Sequence, residues 1–236
     1  MLILALDTTA RAGSLAIARG ETLVAAEAGE SARTHGERLP GEIVRLLARH
    51  RIPLTAIDVF AVAAGPGSFT GLRIGIATMQ GFALAHGKGL AGISALDALA
   101  VGARQQGPDG GRSGEEAIGV WMDAQRREVF AALYRGADLA PIDGPIVAPP
   151  GEVVARWSAL DLAEGVRLAG DGAVTYRGLI DARGWTTGER QPLVAPGVAH
   201  LAARMAAVGP VPGPGAVRPL YVRRPDAELA RDRANA

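Results

Sequence analysis

A mostly apolar run at residues 58–64 enters Gly65-Pro66-Gly67, and a helical stretch spaced with small residues follows at 70–86. Few folds accept this arrangement. The run reads as a buried strand, because it is short, apolar and rich in Val and Ala. The glycines behind it let backbone amides approach another group closely, and a helix N-terminus there favours an anion. Gly67 and Ser68 are therefore candidates for an anion or nucleotide site. The segment GPGSFTGLRIG is not a Walker A loop, since no Lys-Ser/Thr follows at the required spacing. It is not a G-x-S-x-G elbow either, because Ser68 lacks the framing glycines. Within the helix Gly71 and Gly75 are four apart, as are Ala77, Gly81 and Ala85. Glycine costs a helix about 1 kcal/mol per residue. The stripe is expected where another helix packs closely.

Around this unit the chain alternates. Residues 2–6 form a buried strand, and 15–19 and 22–26 are strands on either side of Gly20-Glu21, a tight-turn signal. Thr34 and Glu37 have capping-box spacing, and Leu39, Ile43, Leu46 and Leu47 share one helical face. Pro40 either moves the start of that helix toward Leu39 or kinks its first turns. A strand at 90–93 and a helix capped by Ser94 complete a first mixed α/β lobe over residues 1–105. Residues 106–116 have linker composition. A second, smaller lobe at 117–208 opens with paired strands at 117–123 and 128–134. It continues with a helix at 152–157, a strand at 166–169 and helices at 175–182 and 197–208. The repeated order predicts a duplicated α/β architecture. Residues 209–236 form a stiff Pro-Gly connector and an arginine-rich tail.

Composition narrows the function classes. The 236 residues carry a formal net charge of +1 with 48% hydrophobic residues, which predicts a soluble globular chain without an overall basic field. Cysteine is absent, so disulfides and thiolate metal sites are excluded. The N-terminal apolar run ends at Asp7, too short for a signal peptide or a membrane span. A cytoplasmic location is expected.

Other motifs carry weaker chemistry. Asp7-Thr8-Thr9 at a strand end could hold magnesium or position phosphates, or could simply satisfy turn amides. His35, His50, His86 and His200 have no i, i+4 pairing and form no metal motif. His35 stands out only for its neighbours Arg33, Glu37 and Arg38. Asp123, Arg126, Arg127 and Glu128 read as a solvated charged turn. The tail from Arg218 to Pro225, with Asp226, Glu228 and Asp232 after it, reads as a docked segment rather than an RNA platform.

Seven segments in order, ILALDTT, RTHGERLP, GPGSFTGLRIG, GISALDALA, DAQRREVFAALY, GDGA and PLYVRRPDAE, resemble the TsaB family, formerly YeaZ. The resemblance implies the actin-like ATPase-domain (ASKHA) fold: two duplicated lobes with mixed sheets. It implies a non-catalytic role in making threonylcarbamoyladenosine in tRNAs that read codons beginning with adenine. A TsaD-type sister subunit transfers the group, a TsaE-type ATPase joins, and tRNA is met through the complex. The sister's metal site uses two histidines whose counterparts here are Ala95 and Leu99, which cannot ligate. The nucleotide loops read Asp7-Thr8-Thr9-Ala10 and Asp123-Ala124-Gln125, without the family-typical glycine and Asp-Gly. No cofactor is therefore required, although ATP or ADP with Mg could sit at the complex interface. Docking is expected through helices 37–50 and 70–86 as a four-helix bundle. Leu39, Ile43, Leu46, Gly71, Arg73, Gly75, Met79 and Phe82 are the expected contacts. Gly75→Leu and Gly81→Leu should then stay folded and lose the partner. The same surface could form a weak homodimer. The alternative is an actin-like small-molecule kinase with Asp7 holding Mg-ATP, and a third reading has the arginine tail bind tRNA directly.

Overall fold

In the computed structural model, residues 1–106, 116–160, 162, 165–188 and 191–223 are described. The expected linker and the end of the tail thus lie largely outside the described residues. The first sheet contains β1 (Leu2–Asp7), β2 (Ser14–Arg19), β3 (Thr22–Ala28), β4 (Val59–Gly65) and β5 (Gly89–Ser94), in the order β3-β2-β1-β4-β5. β1 pairs antiparallel with β2 and parallel with β4, so it is central and all six of its residues are buried. A strand covered on both faces reads as an unbroken apolar run, as 2–6 does.

The helices are set by local signals. α1 (His35–Arg49) begins at the Thr34–Glu37 capping box, where both reciprocal bonds form. Pro40 lies inside it, so the helix starts early despite the lost amide. α2 (Phe69–Ala85) starts at Ser68, whose Oγ accepts the Gly71 amide. α3 (Ala95–Gln105) starts at Ser94 in the same manner.

The second sheet repeats the first strand for strand. β6 (Ala117–Asp123), β7 (Val129–Tyr134), β8 (Pro141–Ala148), β9 (Val166–Ala169) and β10 (Thr186–Thr187) lie in the order β10-β9-β6-β7-β8. β6 holds the central place of β1, antiparallel to β7 and parallel to β9. α4 (Pro150–Ser158) occupies the place of α1. α5 (Asp171–Thr175) and α6 (Arg177–Ala182) occupy that of α2, and α7 (Val194–Val208) that of α3. The duplicated actin-like architecture is therefore present in topology as well as in element order.

Two strands escape the sequence pattern. β8 carries Pro141, Gly144 and Pro145, which argue against a strand, yet it is an edge strand with register shifts, where proline is tolerated. β10 has only two residues. The expected helix over 175–182 divides into α5 and α6 at Tyr176.

Three apolar clusters hold the chain together. One joins α1 and α2 to a face of the first sheet through Leu39, Ile43, Leu46, Phe60 and Met79. A second surrounds Trp121, Trp157 and Trp185, with ring centroids 6.0 and 6.2 Å apart in sequence. The third lies between the sheets and is built from α3 and α7. α3 packs on β6, and α7 packs across β1, β2 and β4. The last helix of the second series thus rests on the first sheet. Gly197 of α7 permits this crossing, because a Cβ there would stand 2.0 Å from the carbonyl oxygen of Ala98. Across the same seam Tyr134 donates to Asp97 at 2.5 Å, and burial beside that carboxylate raises the phenol well above its ordinary range.

Gly197→Ala should destabilise the chain by about 1–3 kcal/mol through overpacking. Gly178→Ala, with open space around it, should leave stability near wild type or above it. Urea denaturation of the two variants checks the difference.

Candidate functional site

The carboxyl ends of β1, β4, β6 and β9 meet at a cleft of about 1040 Å³ between the lobes. Its lining includes Thr9, Ala10 and Arg11 after β1, residues 66–71 at the start of α2, residues 122–126 after β6, and Asp171 after β9. Open α/β sheets bind ligands at such strand ends, which is why the chemistry here decides the function class.

The five residues expected at a nucleotide or anion site are brought together. Thr9, Gly67 and Ser68 line the cleft, while Asp7 and Thr8 lie beneath it. The side-chain polar atoms of Asp7, Thr9 and Ser68 are bonded internally, whereas the buried Thr8 Oγ1 has no hydrogen-bond partner among the described residues. Asp7 is 2% exposed; its Oδ1 accepts the Thr9 amide at 2.8 Å and the Thr9 hydroxyl at 2.6 Å, and its Oδ2 accepts Ser14 Oγ at 3.3 Å. Ser14 Oγ in turn accepts the amide of Ala195 at the start of α7. Burial is the main cause that raises the Asp7 carboxyl above its usual range, against the bonds from Thr9 and Ser14. The Ser68 amide donates to Thr9 O at 2.8 Å and the Ser68 Oγ caps α2. These residues do not offer a free magnesium ligand: the Asp7 carboxylate is sealed from the cleft and bonded to Thr9 and Ser14.

The loop after β1 is held from the other side by α1. His35 Nε2 donates to Ala10 O at 3.1 Å, and Arg38 Nη2 donates to Arg11 O at 3.2 Å, to Ala12 O and to His35 Nδ1 at 2.8 Å. Arg38 Nη1 pairs with Glu42 at 2.5 Å, and Arg38 is only 4% exposed. The sequence neighbourhood of His35 drew attention to the right residue. Of its sequence neighbours Arg38, one turn on, is the working partner, together with the distant loop, and Glu42 is the i+4 partner of Arg38 on the same helix. Burial first, and then Arg38, hold the imidazole below the usual histidine range.

The opposite wall is the β6–β7 turn. Gln125, Arg126 and Arg127 have φ of 60°, 56° and 64°, three successive non-glycine residues in the left-handed region. Each costs about 1–2 kcal/mol. Asp123 offsets part of this by accepting the Gln125 amide and Nε2, both at 2.8 Å, while its own amide donates to Asp171. Residues 125–127 are exposed, as a solvated turn should be, and the turn is in addition braced locally by Asp123.

The expected docking contacts need correction. Leu39, Ile43, Leu46 and Met79 are buried in the chain's own core. Gly71 and Gly75 face inward: a Cβ on Gly71 would stand 2.2 Å from Thr8 O, and one on Gly75 would stand 2.1 Å from Thr8 Oγ1. Phe82 is half-buried and stacked on Phe60 at 6.2 Å. Only Arg73 is exposed, and it lies 3.8 Å over the Phe69 ring. The outward faces of α1 and α2 consist of other residues. Val44 is 59% and Leu84 75% exposed, Ala48, Ala77 and Gly81 are exposed, and Gly81 has open space beyond it.

The fold and cleft define a class: a two-lobed chain of actin-like fold with an open cleft at its strand ends. Solved structures of that fold agree. The (R)-2-hydroxyglutaryl-CoA dehydratase component A of Acidaminococcus fermentans superposes with a TM-score of 0.52 at 15% identity, a likeness of fold alone. YeaZ from Pseudomonas aeruginosa superposes with a TM-score of 0.73 at 27% identity, over 93% of this chain and 99% of that one. An uncharacterized protein of Mycobacterium tuberculosis (strain H37Rv) is 33% identical over 96% of this chain and 93% of its own length. The tRNA threonylcarbamoyladenosine biosynthesis protein TsaB of Escherichia coli is 36% identical over 57% of this chain and 55% of its own. The chain belongs to the family described as TsaD: tRNA N6-adenosine threonylcarbamoyltransferase, whose model matches residues 28–166, and it is similar to TsaB and YeaZ proteins.

Two outcomes are expected here. Gly75→Leu should unfold or strongly destabilise the chain, whereas Gly81→Leu should be tolerated within about 1 kcal/mol, read by thermal melting. For His35, the native chain keeps the ring neutral while the unfolded chain takes a proton as pH falls through about 6.5. Its contribution is full above that pH and is lost on acidification, at no more than about 1.4 kcal/mol per pH unit. His35→Gln, which keeps a donor and an acceptor, should flatten the acid limb of a stability–pH curve relative to wild type.

Proposed function

We propose that the chain is a non-catalytic partner subunit that docks a TsaD-type transferase in tRNA threonylcarbamoyladenosine biosynthesis. The observation that carries this reading is the outer surface of α1 and α2. Val44, Ala48, Ala77, Gly81 and Leu84 present small and apolar side chains to solvent on two helices that pack side by side. Exposed large apolar groups of this kind mark contact surfaces. Small residues at Ala77 and Gly81 permit a second pair of helices to approach closely. Ala95 and Leu99, buried in α3, offer no ligand for a sister-type metal. The kinase alternative loses its magnesium residue, since Asp7 is enclosed by Thr9 and Ser14.

In this reading the transferase subunit supplies the chemistry. A TsaE-type ATPase, the tRNA, and ATP or ADP with Mg belong to the assembled complex, which works in the cytoplasm. The same face pairs with a second copy when the partner is absent. No helix among the described residues is long and apolar enough to cross a membrane.

The test is co-purification with a TsaD-type subunit. Ala77→Glu and Leu84→Glu each place a charge at the centre of the proposed contact. Both should weaken capture at least tenfold, about 1.4 kcal/mol or more, with an unchanged melting curve. Undiminished capture by both variants would remove this face from the interface.

A further inference from the structure

The chain after α7 does not trail away from the body. Pro212 O accepts the Leu90 amide of β5 at 2.9 Å, and Gln80 of α2 donates to Pro214 O and Val217 O. Val217 is buried over Gly92. The path then turns into the cleft. The Leu220 amide donates to Ala64 O at 2.7 Å, at the end of β4. Gly65, at φ 128°, leaves room for the Leu220 carbonyl, which would stand 2.5 Å from a Cβ there. Tyr221 stacks on Phe69 at 5.3 Å, and its hydroxyl accepts Arg73 Nε at 3.2 Å. Two residues later the contacts are with the other lobe. Arg223 donates to Ala124 O at 2.6 Å, pairs with Glu128, and places its guanidinium 5.7 Å from the Phe130 ring centre.

Both ends of the left-handed β6–β7 turn are thereby held: Asp123 grips Gln125 from within, and Arg223 grips Ala124 and Glu128 from the first lobe's side. Such strained residues persist only where their surroundings over-determine them. The prolines at 210, 212 and 214 restrict the approach to the cleft, which lowers the entropy lost when the segment docks.

We propose that residues 217–223 are a strap across the cleft mouth, with Arg223 the clasp that fixes the opening between the lobes. The strap is independent of partner docking and concerns the isolated chain. It supplements the α3–α7 seam, which joins the lobes from within.

Because the chain has no cysteine, a spin-label pair can be placed cleanly at Ala56→Cys, between α1 and β4 and outside the proposed docking face, and Ala155→Cys on α4, both exposed. Pulsed distance measurement on the full chain should give one narrow distribution. Arg223→Ala should broaden it and shift it to longer distance, and Arg223→Lys, which keeps the charge but not the fork, should lie between. Amide exchange in 124–128 should rise in Arg223→Ala while α3 and α7 stay protected, separating release of the strap from general unfolding. A distribution in Arg223→Ala identical to wild type overturns the proposal, whatever the exchange of the turn.

Discussion

The closeness with which the turn after β1 passes beneath α2 governs the rest of the molecule. Thr8 occupies the space that side chains at 71 and 75 would need, so the helix can lie on the turn only because both positions are glycine. That contact seals Asp7 under Thr9, sets the floor of the cleft, and fixes which side of α2 looks outward. The turn's remaining carbonyls are taken by His35 and Arg38 of α1. A loop that would face phosphates in an actin-like ATPase is therefore part of the scaffold that supports the two outer helices.

The consequence is a division of surfaces. Inside, Asp7, Thr9 and Ser14 bond to one another beneath the cleft. Outside, α1 and α2 carry apolar and small residues that nothing in the chain covers. A fold related to a transferase family has kept the two-lobed frame and the helix pair. Ala95 and Leu99 stand where the sister's metal ligands are expected. In the proposed role such a subunit contributes shape and contact, and leaves chemistry to its partner.

Much of this was legible in the sequence, and the limits have physical causes. Unbroken apolar runs located β1 and β4, and the Thr34 and Ser94 hydroxyls located the starts of α1 and α3, because those signals are local. β8 was hidden by Pro141 and Pro145, which an edge strand tolerates and a central one would not. The helical period at Leu39, Ile43 and Leu46 reveals a stripe but not what covers it; here it is the chain's own sheet. On α2 the small residues form two lines. Gly71, Gly75 and Met79 turn inward, while Ala77 and Gly81 turn outward, and steps of four residues alone do not tell them apart. The bonds from Arg38 to the turn after β1 and the Arg223 clasp join residues far apart in the chain, so only the fold could bring them together.

Reconstituted tRNA modification tests the central claim most directly. A TsaD-type subunit, a TsaE-type ATPase, ATP, a threonylcarbamoyl donor and unmodified tRNA are combined with and without this chain, and threonylcarbamoyladenosine is quantified after digestion. Modification that requires the chain, fails with Leu84→Glu, and persists with Asp7→Asn is the predicted result. Modification at the same rate without the chain, or its loss in Asp7→Asn with binding and stability intact, would contradict a docking subunit that takes no part in the chemistry.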